Sequence, residues 1–425
     1  MRESQSNPDA ESAVAATRVS EREVCDAYLY LLGRLLVLRQ EHLDFEHQGF
    51  RWNEIVHRGL GGSGWANPNL DVVYSEAWIA LDETSCTVID LPEIRDRYFT
   101  VQIVNAWGET TANINERTYP GQASGPFALC MKGTPPSVSA GMRRIDVPGR
   151  KLKLLIRIEL GDAVKEVLEL QRRITLRATG EPQVAAPVPI AHFTLERLPG
   201  VEAFDTASVV LSAERDINPG TEAMQRTVRT VAACTPDPIE RGRIDRIIRR
   251  KAWRQLMQAV AGMGVMSHGW IVPKVAGHYG DDWLARTVAN LTGIWSNTRD
   301  EVTHFSAGTT NELSGSDTYT LTFGPRDPPS AHVRYFWSVT CIDATRYRVV
   351  PNRENRFALR QSSALCYAED GSLTLYFAPE RPASAPESNW LPTPRGERYL
   401  LTWRSYGPDR GTLLGVWFPP RLDKQ

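Results

Sequence analysis

The run Asp71-Val-Val-Tyr-Ser-Glu-Ala-Trp-Ile-Ala-Leu81 decides the fold class. It is rich in β-branched and aromatic residues and opens a series of similar short stretches. Residues 84–91, 98–105, 127–131 and 152–159 repeat that composition, separated by turn residues such as Pro92 and the Pro120-Gly121 pair. No helical period alternates with them. The series therefore predicts antiparallel strands that close as a β-sandwich or jelly-roll-like module.

Outward from this module the signal changes twice. Upstream, Ser20 and Glu23 have capping-box spacing, and Val24, Ala27, Tyr28, Leu31 and Leu35 recur at three or four residues. A helix from there to about Glu41 is expected. A glycine-rich run, Gly59-Leu-Gly-Gly-Ser-Gly64, then interrupts the chain, but it lacks the lysine of a phosphate-cradling loop. Downstream the middle third reads as helical. Asp162 is placed to cap a helix towards Arg177, residues 239–266 carry Ile244, Ile247, Ile248 and Leu256 on one stripe, and 281–295 form another short helix.

Strands return over 317–323, 333–343, 372–377, 398–406 and 412–418, with Asp370-Gly371 as a turn signal. The expected architecture is α+β: two antiparallel β-sandwich or jelly-roll-like modules joined by a helical middle segment. Its expected parts are a disordered tail over 1–18, a helix plus first β module over 19–160, a helical bridge over 161–300 and a second β module over 301–425.

Composition excludes several functional classes. Of 425 residues, 49 are Lys or Arg and 50 are Asp or Glu, so the net charge is −1. Such a balance supplies no global field for a nucleic-acid backbone or an anionic membrane, and it permits self-association into a homo-oligomer. No apolar run reaches the roughly 18–20 residues of a membrane span. With no signal-peptide pattern, a cytoplasmic location is the default expectation. The six cysteines are scattered without a C-x-x-C pair and read mostly as small buried hydrophobes. The basic cluster over 241–254 reads as a solvated helix face rather than a nucleic-acid site.

Several motifs look like one bacterial family. Asn67-Pro-Asn-Leu-Asp-Val-Val-Tyr-Ser75, Asp96-Arg-Tyr-Phe99 and Val101-Gln102 resemble its N-terminal module. Phe336-Trp-Ser338, Asp370-Gly-Ser-Leu373 and Glu387-Ser-Asn-Trp-Leu-Pro392 resemble its C-terminal module, and residues 278–286 resemble the joining segment. The family is the two-module pair of domains of unknown function 1254 and 1214. The resemblance implies two β domains, frequent oligomers and, in many members, export. It supplies no reaction. Leu70 and Val72 replace polar residues usual in the family, which implies a shortened polar network or a more apolar ligand.

The densest polar group is Asn69, Asp71, Tyr74 and Ser75. Strand alternation from Asp71 puts Asp71, Val73 and Ser75 on one side and Val72 and Tyr74 on the other. Asp71 is either a general base, raised in pKa by a Trp-lined pocket, or a partner holding an arginine such as Arg97. Against both stands a structural role, in which Asn69 and Asp71 satisfy backbone amides where the strand begins. Asn389 and Trp390 form either a turn lock or a ligand wall. The eight histidines, with His42 and His47 near a helix end and His268 and His278 ten apart, show no H-E-x-x-H spacing, so no metal is expected. No dinucleotide fingerprint or G-x-S-x-G elbow appears, so neither a redox cofactor nor a serine nucleophile is expected.

These readings converge on an enzyme of small-molecule metabolism. Hydrolysis, elimination or cyclisation of a partly apolar metabolite would occur in a pocket between the β modules, without a cofactor. Asp71, Tyr74 and Arg97 would do acid–base or oxyanion work, and Asn69, Trp107, Trp337, Asn389 and Trp390 would contact the ligand. The alternative is a non-catalytic module that stacks sugars or small ligands on the same aromatic rings.

Overall fold

The structure is a computed structural model that describes residues 18–60, 69–184, 186–346 and 348–425. All but Arg18 of the tail expected over 1–18, most of the glycine-rich run and Trp65 lie outside them. Among the described residues each β module is a pair of stacked sheets, so the α+β class and the two sheet-rich modules hold.

In the first module a five-stranded sheet is built around Lys151–Glu159, which pairs antiparallel with Val72–Ala80 and with Phe99–Asn105. Leu152, Leu154, Ile156 and Ile158 of that strand point inward. They meet Ile89, Phe127 and Leu129 of the four-stranded partner sheet in one apolar core. Every second residue is thus committed to the sandwich interior. The opposite face carries Lys151, Lys153, Leu155, Arg157 and Glu159, and all but the half-buried Glu159 are buried as well.

The second module repeats the plan. Arg398–Tyr406 lies between Val302–Ala307 and Trp337–Asp343 in a seven-stranded sheet. Phe305, Trp337, Leu401 and Trp403 fill the sandwich against Leu321, Leu375 and Phe377. Neither module is purely antiparallel. Gly125–Met131 runs parallel to Arg143–Val147, and Leu373–Ala378 runs parallel to Trp390–Pro392.

Three local expectations fail for identifiable reasons. The strand expected over 412–418 is instead a helical turn, Arg410–Leu413, because Asp409 Oδ1 accepts the Thr412 amide at 2.8 Å and caps it. The helix expected from Asp162 to Arg177 is Val164–Arg172, without a side-chain cap. Its continuation, Thr175–Ala178, pairs with Cys86–Leu91, and Val167 and Leu170 enter the first core. The stripe over 239–266 is two α-helices, Pro238–Ile247 and Trp253–Gly262, joined by a π-helical turn, and Met266 falls in the strand Gly264–Ser267.

The first helix, Glu21–His47, carries the expected capping box: Ser20 accepts the Glu23 amide and Glu23 accepts the Ser20 amide. It runs past Glu41 and is buried on every side from Val24 to Leu38, the pattern of a helix enclosed by others. Its last turns cross the outer face of the five-stranded sheet. There Lys151 Nζ meets Glu41 at 2.8 Å, and Lys153 Nζ meets Asp44 and Glu76 at 2.8 and 2.9 Å. The charges on that face are buried because the helix supplies their counter-charges.

The cysteine reading needs one correction. Cys86 and Cys130 are register partners on adjacent strands and form a disulfide. Two positions 44 residues apart in sequence become neighbours only through the sheet. Cys25 and Cys341 are buried free thiols as expected, whereas Cys366 is exposed. Among the described residues no helix is long and apolar enough to cross a membrane.

Candidate functional site

The helix covers only part of the first module's outer face. The rest is covered by the second module. On the seven-stranded sheet, His304 is opposite Arg404, Arg404 is opposite Ser338, and Ser338 is opposite Arg360. One polar row therefore crosses four strands on the face turned away from the Trp403 core. On the five-stranded sheet, Tyr74 is opposite Arg157 and Arg157 is opposite Thr100. The Arg157 guanidinium sits 5.3 Å from the Tyr74 ring centre and donates to Gln102 Oε1 at 2.7 Å.

Asp71 bridges the two rows. Its Oδ2 accepts from Ser338 Oγ at 2.5 Å and Tyr406 OH at 3.3 Å, and its Oδ1 accepts from Arg360 Nε at 2.8 Å. Asn69 braces the same spot: its Oδ1 accepts the Asp71 amide at 2.9 Å and its Nδ2 donates to Tyr406 OH at 2.7 Å. Asp71 precedes the strand in a bend, so its side chain leaves the alternation. It meets Tyr406, which packs with Val72 and Tyr74, whereas Val73 faces the sandwich core. The side expected for Asp71 is thus reversed.

Aromatic rings line the seam. Phe336 stacks on Tyr406 at 4.1 Å, and Tyr98 meets Tyr406 edge-on at 5.0 Å. Burial, with Asp71 adding to it, holds the Tyr406 phenol well above its ordinary pKa. Burial also raises Glu159, and the nearby Asp71 charge acts in the same direction.

His304 lies at one end of the second module's row. Its side chain is solvent-accessible, yet surrounding protein pushes its pKa down to about 3, with Arg404 and Arg157 adding their repulsion. The imidazole is therefore neutral at physiological pH.

Of the residues expected at a site, Asn69, Asp71 and Tyr74 meet on this seam. The others do not. Arg97 does not hold Asp71; it binds Glu166 at 3.0 Å and the Glu159 carbonyl at 3.3 Å, and Arg360 takes the place expected for it. Trp107 belongs to the helical core, donates to the Glu214 carbonyl at 3.2 Å and lies beneath the Arg286 guanidinium. Trp337 stacks on Trp403 at 4.6 Å inside the second sandwich, closed to a ligand. Asn389 is a turn lock, bonded through both side-chain atoms to the Cys366 backbone.

Trp390 donates to the Ala378 carbonyl and borders a separate cleft of about 1110 Å³ with Arg353 and Arg395. The tryptophans went astray for one reason: a large flat ring serves a sandwich interior as well as a pocket. Sequence reading missed His304, Arg404, Arg157, Ser338, Arg360 and Tyr406. Their signal is a charged or polar residue at every second position of an otherwise apolar strand, which also describes a solvated face. Among the described residues no three His, Cys, Asp or Glu side chains converge as metal ligands.

Comparison with known proteins agrees with this two-module layout. Residues 52–178 match the family described as protein of unknown function DUF1254, and residues 301–410 match protein of unknown function DUF1214. The first match spans the helix and strand that extend the first module beyond residue 160. The fold is similar to the crystal structure of the VPA0106 protein from Vibrio parahaemolyticus, with TM-score 0.69 and 18% identity over 95% of this chain and 99% of that one. A protein from Burkholderia cenocepacia aligns with TM-score 0.45 and 13% identity, over 93% of this chain and 87% of that one. Comparison with curated proteins gives no match.

Proposed function

In this two-module chain, a DUF1254 module followed by a DUF1214 module, we propose an enzyme of small-molecule metabolism that works by acid–base chemistry at the seam between the modules. One observation carries the reading. A neutral imidazole, His304, stands opposite Arg404 of its own sheet, and the charge of Arg157 from the other module reaches it. A neutral imidazole can accept a proton, and fixed positive charges at its side stabilise negative charge that develops on a substrate.

Roles follow from the partners. Asp71 has both oxygens engaged by three donors, so it is a positioning residue that holds Arg360 and Ser338 rather than a free base. Tyr74, half-buried against Arg157, is the phenol that the first module brings to the seam. The reaction class is hydrolysis, elimination or cyclisation, in which proton transfer and charge stabilisation suffice. Sugar stacking on Trp337 has no support, since that ring lies in the core.

As to compartment, the Cys86–Cys130 bridge favours an oxidising one over the cytoplasm expected by default. The proposed ligand is a small molecule, and a homo-oligomer remains the proposed assembly.

The test is incubation of the purified protein with a small-molecule cell extract in ¹⁸O-labelled water, followed by mass spectrometry. Wild type should convert at least one compound, and His304→Gln should slow that conversion by roughly a hundredfold, the usual weight of a general base. A compound that binds and is recovered unchanged would overturn catalysis in favour of simple binding.

A further inference from the structure

The start of the first helix and the helix pair over 238–262 border a cleft of about 550 Å³ that shares no residue with the seam. Arg18, Arg243, Arg246, Arg250 and Lys251 line it, against one carboxylate, Glu21. In a chain whose charges nearly cancel, this is a local excess of positive charge.

The neighbouring carboxylates are already engaged. Glu21 is held by Lys251. Glu240 is shared by Arg243 at 2.7 Å and Arg18 at 3.6 Å. Along the same helix pair, Arg241 binds Asp205 at 2.7 Å and Arg249 binds Asp245 at 2.8 Å. The side chains of Arg246 and Arg250 are exposed and have no hydrogen-bond or ion-pair partner among the described residues. Like charges one turn apart repel, so an anion between them relieves a cost that the fold otherwise bears.

The frame around these arginines is fixed. Arg243 donates to the Val19 carbonyl at 2.9 Å and holds the helix start against the pair. Ser20 and Glu21 line the cleft, so a 27-residue helix turns the positive end of its dipole towards it. Arg250 and Lys251 stand on the π-helical turn Ile248–Ala252, an uncommon geometry that gathers at functional sites. The basic cluster that read as a solvated face in the sequence gains a concave shape because residues 18–21 close one side of it.

We propose that this cleft binds a small soluble polyphosphate, its phosphate groups between Arg246, Arg250 and the start of the first helix. Guanidiniums suit phosphate because their paired N–H donors match its oxygens two at a time. Cations spread over two elements favour clustered phosphates over a single carboxylate or orthophosphate. A recess of this size suits a small molecule rather than an extended nucleic-acid backbone or a flat bilayer. The site is independent of the chemistry proposed at the seam.

Calorimetry on the full chain with tripolyphosphate, pyrophosphate and orthophosphate tests the proposal. Tripolyphosphate should bind once per chain and at least about tenfold more tightly than orthophosphate. Its affinity should fall as salt rises from about 50 to 200 mM. Arg246→Gln and Arg250→Gln orphan no partner, so each should keep the fold and weaken binding about tenfold. Arg254→Gln removes an equally exposed arginine outside the cleft and should leave affinity within about twofold.

Equal loss in all three variants would mean diffuse attraction and overturn the site. Orthophosphate binding as tightly as tripolyphosphate, or no binding of either, would overturn it as well. Two further probes are vesicles of phosphatidylcholine with phosphatidylinositol bisphosphate and a mixed-sequence single-stranded oligonucleotide. Tighter binding of either one than of tripolyphosphate would overturn the assignment of a soluble ligand.

Discussion

Arg360 Nε lies 2.8 Å from Asp71 Oδ1 across 289 residues of chain, so the start of one module's strand is tied to the edge of the other module's sheet. The Asp71 side chain is fully buried and that of Arg360 is about a third exposed, at 0% and 32%. The contact is a direct ionic link between the two modules, and its removal leaves unequal consequences on its two sides.

Asp71→Asn should lower unfolding stability by about 1–3 kcal/mol, less than a fully buried pair because Arg360 retains solvent. Arg360→Met should cost less than Asp71→Asn, and the double variant should show a coupling energy of about 1 kcal/mol in urea unfolding. Additive losses would mean that the pair does not act as a unit.

The acid limb of stability should carry the signature of His304. Its folded pKa, about 3, is below the ordinary 6.5, so between those values the native state binds fewer protons than the unfolded chain. The stability this contributes is complete above pH 6.5 and is lost as pH falls towards 3. His57, also lowered by burial, acts in the same direction. Urea midpoints from pH 7 to 4 should therefore fall less steeply in His304→Gln than in wild type, by up to about one proton. Identical slopes would place the imidazole in ordinary solvent.

Gly33 sits where the first helix meets Trp283–Thr292, and a Cβ there would lie 2.5 Å from Thr287 Oγ1. Thr287 Oγ1 donates to the Leu29 carbonyl at 3.0 Å, so the hydroxyl cannot move without losing a bond. Gly33→Ala should destabilise by about 1–2 kcal/mol, overpacking outweighing the helix propensity of alanine. Adding Thr287→Ala should recover part of that loss in thermal unfolding.

The disulfide is checked most simply by intact mass without reductant, which should be lower by the two hydrogens of one bridge. Replacing Cys86 and Cys130 together by alanine should cost about 3–4 kcal/mol, from the entropy of the 44-residue separation they close. An unchanged denaturant midpoint on reduction would place the bridge outside the folding equilibrium.

Much of the fold was legible because sandwich strands advertise themselves. The strand Arg398–Tyr406 falls on its expected bounds, its core residues Tyr399, Leu401 and Trp403 alternating with Leu400, Thr402 and Arg404. The capping box at Ser20 and Glu23 is local chemistry and needed no tertiary context. Residues 412–418 misled because a single capping aspartate outweighs an apolar run.

The site was half legible. Asn69, Asp71 and Tyr74 stand together in sequence, but Arg157, His304 and Arg404 come from three strands of two modules. Their shared neighbourhood exists only after each outer face is covered. A strand such as Lys-Leu-Lys-Leu-Leu-Ile-Arg-Ile-Glu gives no indication whether its charged side meets water or another module.

The enclosed first helix sets a schedule for synthesis. Leu29 leaves the ribosome 258 residues before Thr287, its partner on the helix that closes over it. At about 5–20 residues per second that interval is roughly 10–50 seconds. Helical segments over 201–256 pack on this helix before then, but its face towards Trp283–Thr292 has no native cover throughout the interval, and a pause before that helix is made would expose it to aggregation.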